Sequence, residues 1–173
     1  MTDETRLFEK ICLEGFQSGL SWITVLRKRD SFRDAFSGFD PTKVARFSDA
    51  KVDKLLGNAG IIRHRGKIES TINNARQLNE MHRAGESLAH LVWSFADRTQ
   101  REAPESIPAQ TPASAALSKE LKRRGWSFVG PTTMYAFMQS MGVVNDHLVG
   151  CHVRVACDRE RRAILRGGVG SSE

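Results

Sequence analysis

The sequence predicts an all-α fold, one helical domain. Three observations lead there. Apolar residues recur at helical spacing through nearly all of the 173 residues, with no alternating strand pattern. Recognisable helix starts stand before the apolar runs, at Asp40-Pro41, Ser48 and Ser87. The length suits one domain with a real core, and no internal repeat divides it.

The elements follow in order. "TRLFEKICLEGFQ" puts Leu7, Phe8, Ile11 and Cys12 on one stripe, and a second helix is predicted from Ser21 through "WITVLRKRDSFRDAF". In "FDPTKVARF", Asp40 is an N-cap and Pro41 occupies the first helical position. Ser48 opens "SDAKVDKLLGNAG", with Gly60 expected to close it as a C-cap. A longer helix over "RHRGKIESTINNARQLNEMHRAG" turns Ile68, Ile72, Ala75 and Leu78 inward, and Ser87 caps "LAHLVWSFAD". "RTQREAPESIPAQTPAS" holds three of the five prolines and is expected to be an irregular surface loop. It is not a domain boundary, because neither flank has enough core to stand alone. Beyond it, "SAALSKELKRRG" and "PTTMYAFMQSMG" form two helices linked by "WSFVG". The domain is set at 1–157, and the small, polar residues of 158–173 are expected to form a frayed tail.

Composition narrows the class of partner. The formal net charge is +6 and the isoelectric point near 9.6, with basic clusters in "RKRDSFR", "RHRGK", "KELKRR" and "DRERR". Such a surface favours polyanions, nucleic acid first, although solvated basic faces give the same balance. No apolar run approaches a membrane span and the N-terminus has no signal-peptide core, so the cytoplasm is the default location. The three cysteines make no disulfide framework, and Cys12 lies in an apolar stretch as a small buried hydrophobe.

Three stretches carry chemistry. "LKRRGWSFVGPTTMYAFM" joins a basic helix end, a tight turn and a helix that starts at proline. Unpaired amides at that helix start suit a phosphate oxygen, and glycine at the turn permits its close approach. That is the logic of a helix-hairpin-helix DNA-binding element, although an ordinary αα-hairpin has the same spacing. In "LEGFQSGLSWITVLRKR", Glu14, Gln17 and Ser21 interleave with Phe16, Leu20 and Trp22, and two glycines interrupt the helix. A carboxylate beside an aromatic plane can hold a flat, amino-bearing or cationic ring, but a solvated Glu and a core Trp would read alike. In "VNDHLVGCH", a helix would turn His147 and Cys151 to one side as nitrogen and sulfur ligands for a metal, yet no clean second pair is present.

"LFEKICLEGFQSGLSWITVLRKRDSFRDAFSGFD", "GIIRHRGKI" and "SKELKRRGWSFVGPTTMYAFMQSMGVVNDH" with the following Cys closely resemble the DNA-3-methyladenine glycosylase I family, within the helix-hairpin-helix glycosylases. The resemblance runs from about Leu7 to Cys151. It implies a monofunctional base-excision repair enzyme that flips 3-methyladenine from double-stranded alkylated DNA and hydrolyses its N-glycosidic bond. On the matched positions, Glu14 is catalytic and hydrogen-bonds the base, and Trp22 stacks on it. The hairpin residues Gly130, Thr132 and Thr133, with Lys122, Arg123 and Arg124, are expected to contact DNA, and the small, kinked "QSGLS" turn is expected to fill the gap the base leaves. A lyase activity is not expected, since Pro131-Thr132-Thr133 stand where the lysine nucleophile would be.

The resemblance also implies a structural zinc bound by His147 and Cys151 together with a Cys and a His upstream of the matched region. Three readings of the missing pair stand: a start assigned too late, a genuinely shortened and inactive chain, or completion by His152 and Cys157. A shortened homologue that binds damaged DNA without cutting it is the alternative function. A monomer is expected.

Overall fold

The computed structural model describes residues 1–97 and 102–168, and among them there are helices and no strand. Helix α1 spans Glu4–Gln17 and is buried along its whole length from Leu7 to Phe16. It is the central helix, packed by the helices that follow it in the chain. α2 (Trp22–Leu26) and α3 (Arg29–Ala35) come next, then α4 (Pro41–Val44), α5 (Asp49–Leu56), α6 (Arg65–Arg83) and α7 (Leu88–Ser94). The chain closes with α8 (Pro112–Arg123), α9 (Pro131–Ser140) and α10 (Arg154–Gly167). α8 pairs most extensively with α9, α4 packs on α6, and α9 packs on α1.

Burying every side of α1 places polar residues inside, and each must then find a partner. Glu9 accepts from Arg29 Nε and Arg33 Nε, both at 2.9 Å, which ties α3 to α1. Around this strut Phe16, Phe32 and Phe36 form an aromatic cluster, the first two with centroids 4.6 Å apart. Cys12 is buried as expected, and burial pushes its thiol pKa up.

The predicted caps at Asp40, Ser48 and Ser87 all form, each accepting from a backbone N–H of the first turn. Four other expectations are corrected. The helix predicted from Ser21 breaks at Arg27–Lys28, where Lys28 leaves helical dihedrals (φ −103°, ψ 4°) and its Nζ donates to Ala59 O at 2.6 Å. α5 ends at Gly57 rather than Gly60, whose amide is instead taken by Asn58 Oδ1 at 2.8 Å. The proline-rich stretch, of which residues 98–101 lie outside the described ones, already becomes helix at Pro112, where Thr111 and Ser114 make a reciprocal capping box. The tail expected to fray from 158 is helical as far as Gly167. Arg161 anchors it, donating from Nε to the Val143 carbonyl at 2.9 Å and from its terminal nitrogen to the Asp97 carbonyl.

Candidate active site and nucleic-acid interface

A cavity of about 700 Å³ opens beside α1 and is lined by Lys10, Glu14, Trp22, Gln139, Asp146 and His147 among others. Its wall is set by how α1 ends. Gly19 takes φ +81°, a left-handed turn that suits glycine, and redirects the chain from α1 into α2. Gly15, also predicted to interrupt the helix, lies within α1 instead. A Cβ on Gly15 would come within 3.3 Å of Phe128 Cβ, so this glycine lets α1 and the α8–α9 loop touch. The last carbonyls of α1 are held by buried Lys67, whose Nζ donates to Phe16 O at 2.8 Å and Ser18 O at 2.6 Å. Burial holds the Lys67 pKa below its ordinary value.

These constraints bring Glu14 and Trp22 to the same cavity. Glu14 is 4 % exposed, whereas Trp22 is 37 % exposed and stands at the mouth rather than in the core. Lys10, which the sequence reading passed over, joins them: its Nζ is 2.8 Å from Glu14 Oε1 and 3.7 Å from the Trp22 ring centroid. Burial lowers the Lys10 pKa, and the hydrogen bond and charge of Glu14 oppose that shift. The available signal was the i, i+4 spacing of Lys10 and Glu14 on one helix. Asp146 was missed as well; it borders the cavity and accepts from Tyr135 Oη at 2.5 Å.

The hairpin between α8 and α9 is pinned from α6. Asn74, 2 % exposed, donates to Ser127 O at 3.0 Å and accepts from Ser127 N at 2.9 Å. Ser118 Oγ donates to Val129 O at 2.6 Å. Gly125 turns the chain at φ +83°, and Phe128 adopts φ +56°, a conformation that costs a bulky residue energy and is held by these surrounding bonds. Gly130 is the N-cap of α9, and no side chain caps the first-turn amides at Thr132 and Thr133. The neighbouring basic residues divide. Arg123 and Arg124 both bind Glu120, and Arg124 also reaches Glu86. Hydrogen bonds from Arg123, then Arg124, hold the Glu120 pKa down to about 2. Lys122 is exposed.

His147 and Cys151 do meet, but across a turn closed by the Cys151 N to Leu148 O bond rather than along a helix. His147 Nδ1 lies 3.4 Å from Cys151 Sγ, close to the roughly 3.5 Å that two ligands of one tetrahedral zinc subtend. Cys157 Sγ lies 3.4 Å from the other ring nitrogen, Nε2. The two nitrogens point from opposite edges of the ring, so the two sulfurs cannot share one ion with it, and His152 is exposed. Completion by His152 and Cys157 is therefore not formed, and no group of three donors converges among the described residues.

Residues 1–155 match the family model described as methyladenine glycosylase. The chain is similar to the DNA-3-methyladenine glycosylase 1 of Escherichia coli, 54% identical over 154 residues that cover 87% of this chain and 82% of that protein. It is similar to a crystal structure of 3-methyladenine DNA glycosylase I at a TM-score of 0.84 and 53% identity, over 88% of this chain and 86% of that one. A further crystal structure of such a glycosylase, solved in complex with 3-methyladenine, matches at a TM-score of 0.82 and 31% identity, over 89% and 85% of the two chains.

Proposed function

This chain belongs to the methyladenine glycosylase family, and on that premise we propose that the cavity beside α1 receives the flipped base. The activity is that of a DNA-3-methyladenine glycosylase, hydrolysis of the N-glycosyl bond of 3-methyladenine in alkylated DNA. The observation that carries the site assignment is the pairing of a nearly buried carboxylate, Glu14, with a half-exposed indole, Trp22, on one cavity wall.

Chemistry supports that pairing. Methylation at N3 leaves the attached purine positively charged and so a good leaving group. The protein then needs to stack, desolvate and orient the base rather than protonate it. Trp22 offers the stacking face and Glu14 accepts hydrogen bonds from the base and attracts its charge. Unmodified adenine lacks the charge and gains less from either group.

The hairpin supplies the grip on duplex DNA in the same reading: the Thr132 and Thr133 amides after Gly130 receive a phosphate, and Lys122 leads the basic contribution. Arg123 and Arg124 contact DNA only after sharing their charge with Glu120. The turn through Gly19 fills the gap left by the flipped base with Leu20, which is 40 % exposed. His147 and Cys151, 3.4 Å apart, are the pair that would hold a structural zinc bracing the turn beside the cavity. The setting proposed is a monomer acting in the cytoplasm; no helix of the described residues is long and apolar enough to cross a membrane.

The test is release of free 3-methyladenine from methylated duplex DNA. Glu14→Ala and Trp22→Ala should each cut release while leaving the fold intact by circular dichroism. Unchanged release by both variants would discard the pocket assignment. Binding of the duplex without any release by the parent chain would favour the reading of a module that only holds damaged DNA.

A further inference from the structure

We infer that Lys10 sets the pocket's response to base charge: its ammonium stands between Glu14 and Trp22 where a cationic flipped base would sit, so such a base binds only by displacing it. The inference rests on the proposed base site. Its support is geometric. The Lys10 Nζ contacts both groups assigned to the base, Glu14 Oε1 at 2.8 Å and the Trp22 ring at 3.7 Å from the centroid. Non-bonded atoms meet at about 3.5–4 Å, so the ammonium fills the first layer over the indole, the layer in which a base would stack. The residue is 9 % exposed, so this is an inward placement and not a surface ion pair.

The physical consequence follows from charge. With Lys10 in place, the Glu14–Lys10 pair is neutral and the ring face is already satisfied by a cation. A methylated, positively charged base is therefore offered neither an unpaired carboxylate nor a free ring. Lys10 has four carbons of flexible stem and can withdraw its ammonium to water, where it is well solvated. Capture of the charged base is then an exchange of one cation for another. A neutral base needs the same space but gains little from an uncovered Glu14. Removing the internal cation should thus favour charged bases over neutral ones of the same shape.

The experiment compares the parent chain with Lys10→Met, a neutral helix former of similar length, and with Lys10→Arg, which keeps a cation over the ring. Lys10→Met should raise kcat/KM for 3-methyladenine release from methylated duplex about tenfold, through a lower KM. Its Kd for a duplex carrying the neutral isostere 3-deaza-3-methyladenine should improve less, and Lys10→Arg should show no gain in either assay. If Lys10→Met proves unstable by thermal unfolding, Lys10→Gln carries the same expectation. A folded neutral variant whose kcat/KM is unchanged or lower, or whose gain is equal for the charged and neutral bases, overturns the inference. Trp22→Ala in the same assay separates the two claims. If it lowers release while Lys10→Met fails to raise it, the base site stands and the role of Lys10 falls; if Trp22→Ala has no effect, the base site itself falls.

Discussion

The hairpin and the pocket touch at Gly15 and Phe128, yet they are built in opposite ways. In the hairpin, the polar groups that shape the loop are committed inside the protein: Ser127 to Asn74, Val129 O to Ser118, Arg124 to Glu120 and Glu86. In the pocket, the central contacts are a lysine over an indole and that lysine's ion pair with a carboxylate, both of which a ligand can replace. The difference matches the two tasks proposed for them. A loop that reads backbone geometry gains from being fixed beforehand, because no ordering cost then falls on binding. A site for an extruded base must be emptied each time, so its occupants are held by reversible contacts.

The largest effect that would sharpen this contrast is on the hairpin. Asn74→Ala leaves the Ser127 amide without its partner, while Ser127 O keeps only the Ser70 Oγ bond, and should cost about 2–3 kcal/mol of stability. That corresponds to a fall in Tm of about 5–10 °C for a domain of this size, and DNA binding should weaken with it. Trp22→Ala should behave in the reverse sense. Loss of base stacking is worth about 1–3 kcal/mol, so release of 3-methyladenine should drop about 10- to 100-fold with Tm almost unmoved. If Trp22→Ala unfolded the protein and Asn74→Ala did not, the contrast would be wrong.

Smaller effects separate the basic residues of the hairpin. Lys122→Ala should make the dependence of log K for duplex DNA on log salt shallower by about 1, the effect of one phosphate contact. Arg124→Ala should change that slope less and Tm more, because its guanidinium is spent on Glu120 and Glu86. The smallest effect is with acid. The folded pKa of Glu120 is about 2, below its ordinary 4.5, so its contribution is fully present above pH about 4.5 and is lost as pH falls toward 2. Solvent screening keeps it modest. Thermal unfolding between pH 5 and 2.5 should show part of the acid sensitivity of the parent chain removed in Glu120→Gln.

Much of this molecule is legible in the sequence because the relevant physics is local. Caps at Asp40, Ser48 and Ser87 depend on a side chain reaching an amide two or three residues ahead. The helix-hairpin-helix and the Glu14–Trp22 stretch are contiguous, so residues and resemblance alike expose them, and so is the His147–Cys151 pair, even though a turn and not a helix closes it. What the sequence reading missed depends on long-range approach. The two orphan carbonyls at the end of α1 are taken by Lys67, 49 and 51 residues away. Asn74 reaches Ser127 across 53 residues. Arg161 turns an expected frayed tail into a docked helix through Val143 and Asp97. Lys10 is the instructive middle case: its i, i+4 pairing with Glu14 is written in the helix, but a buried lysine over Trp22 exists only because the turn at Gly19 folds α2 back beside α1. Sequence alone determined the capped helix starts at Asp40, Ser48 and Ser87 and which side chains are candidates to hold a charged base. Tertiary structure alone decided which of those groups are already occupied, because occupancy depends on distances between residues that no local pattern encodes.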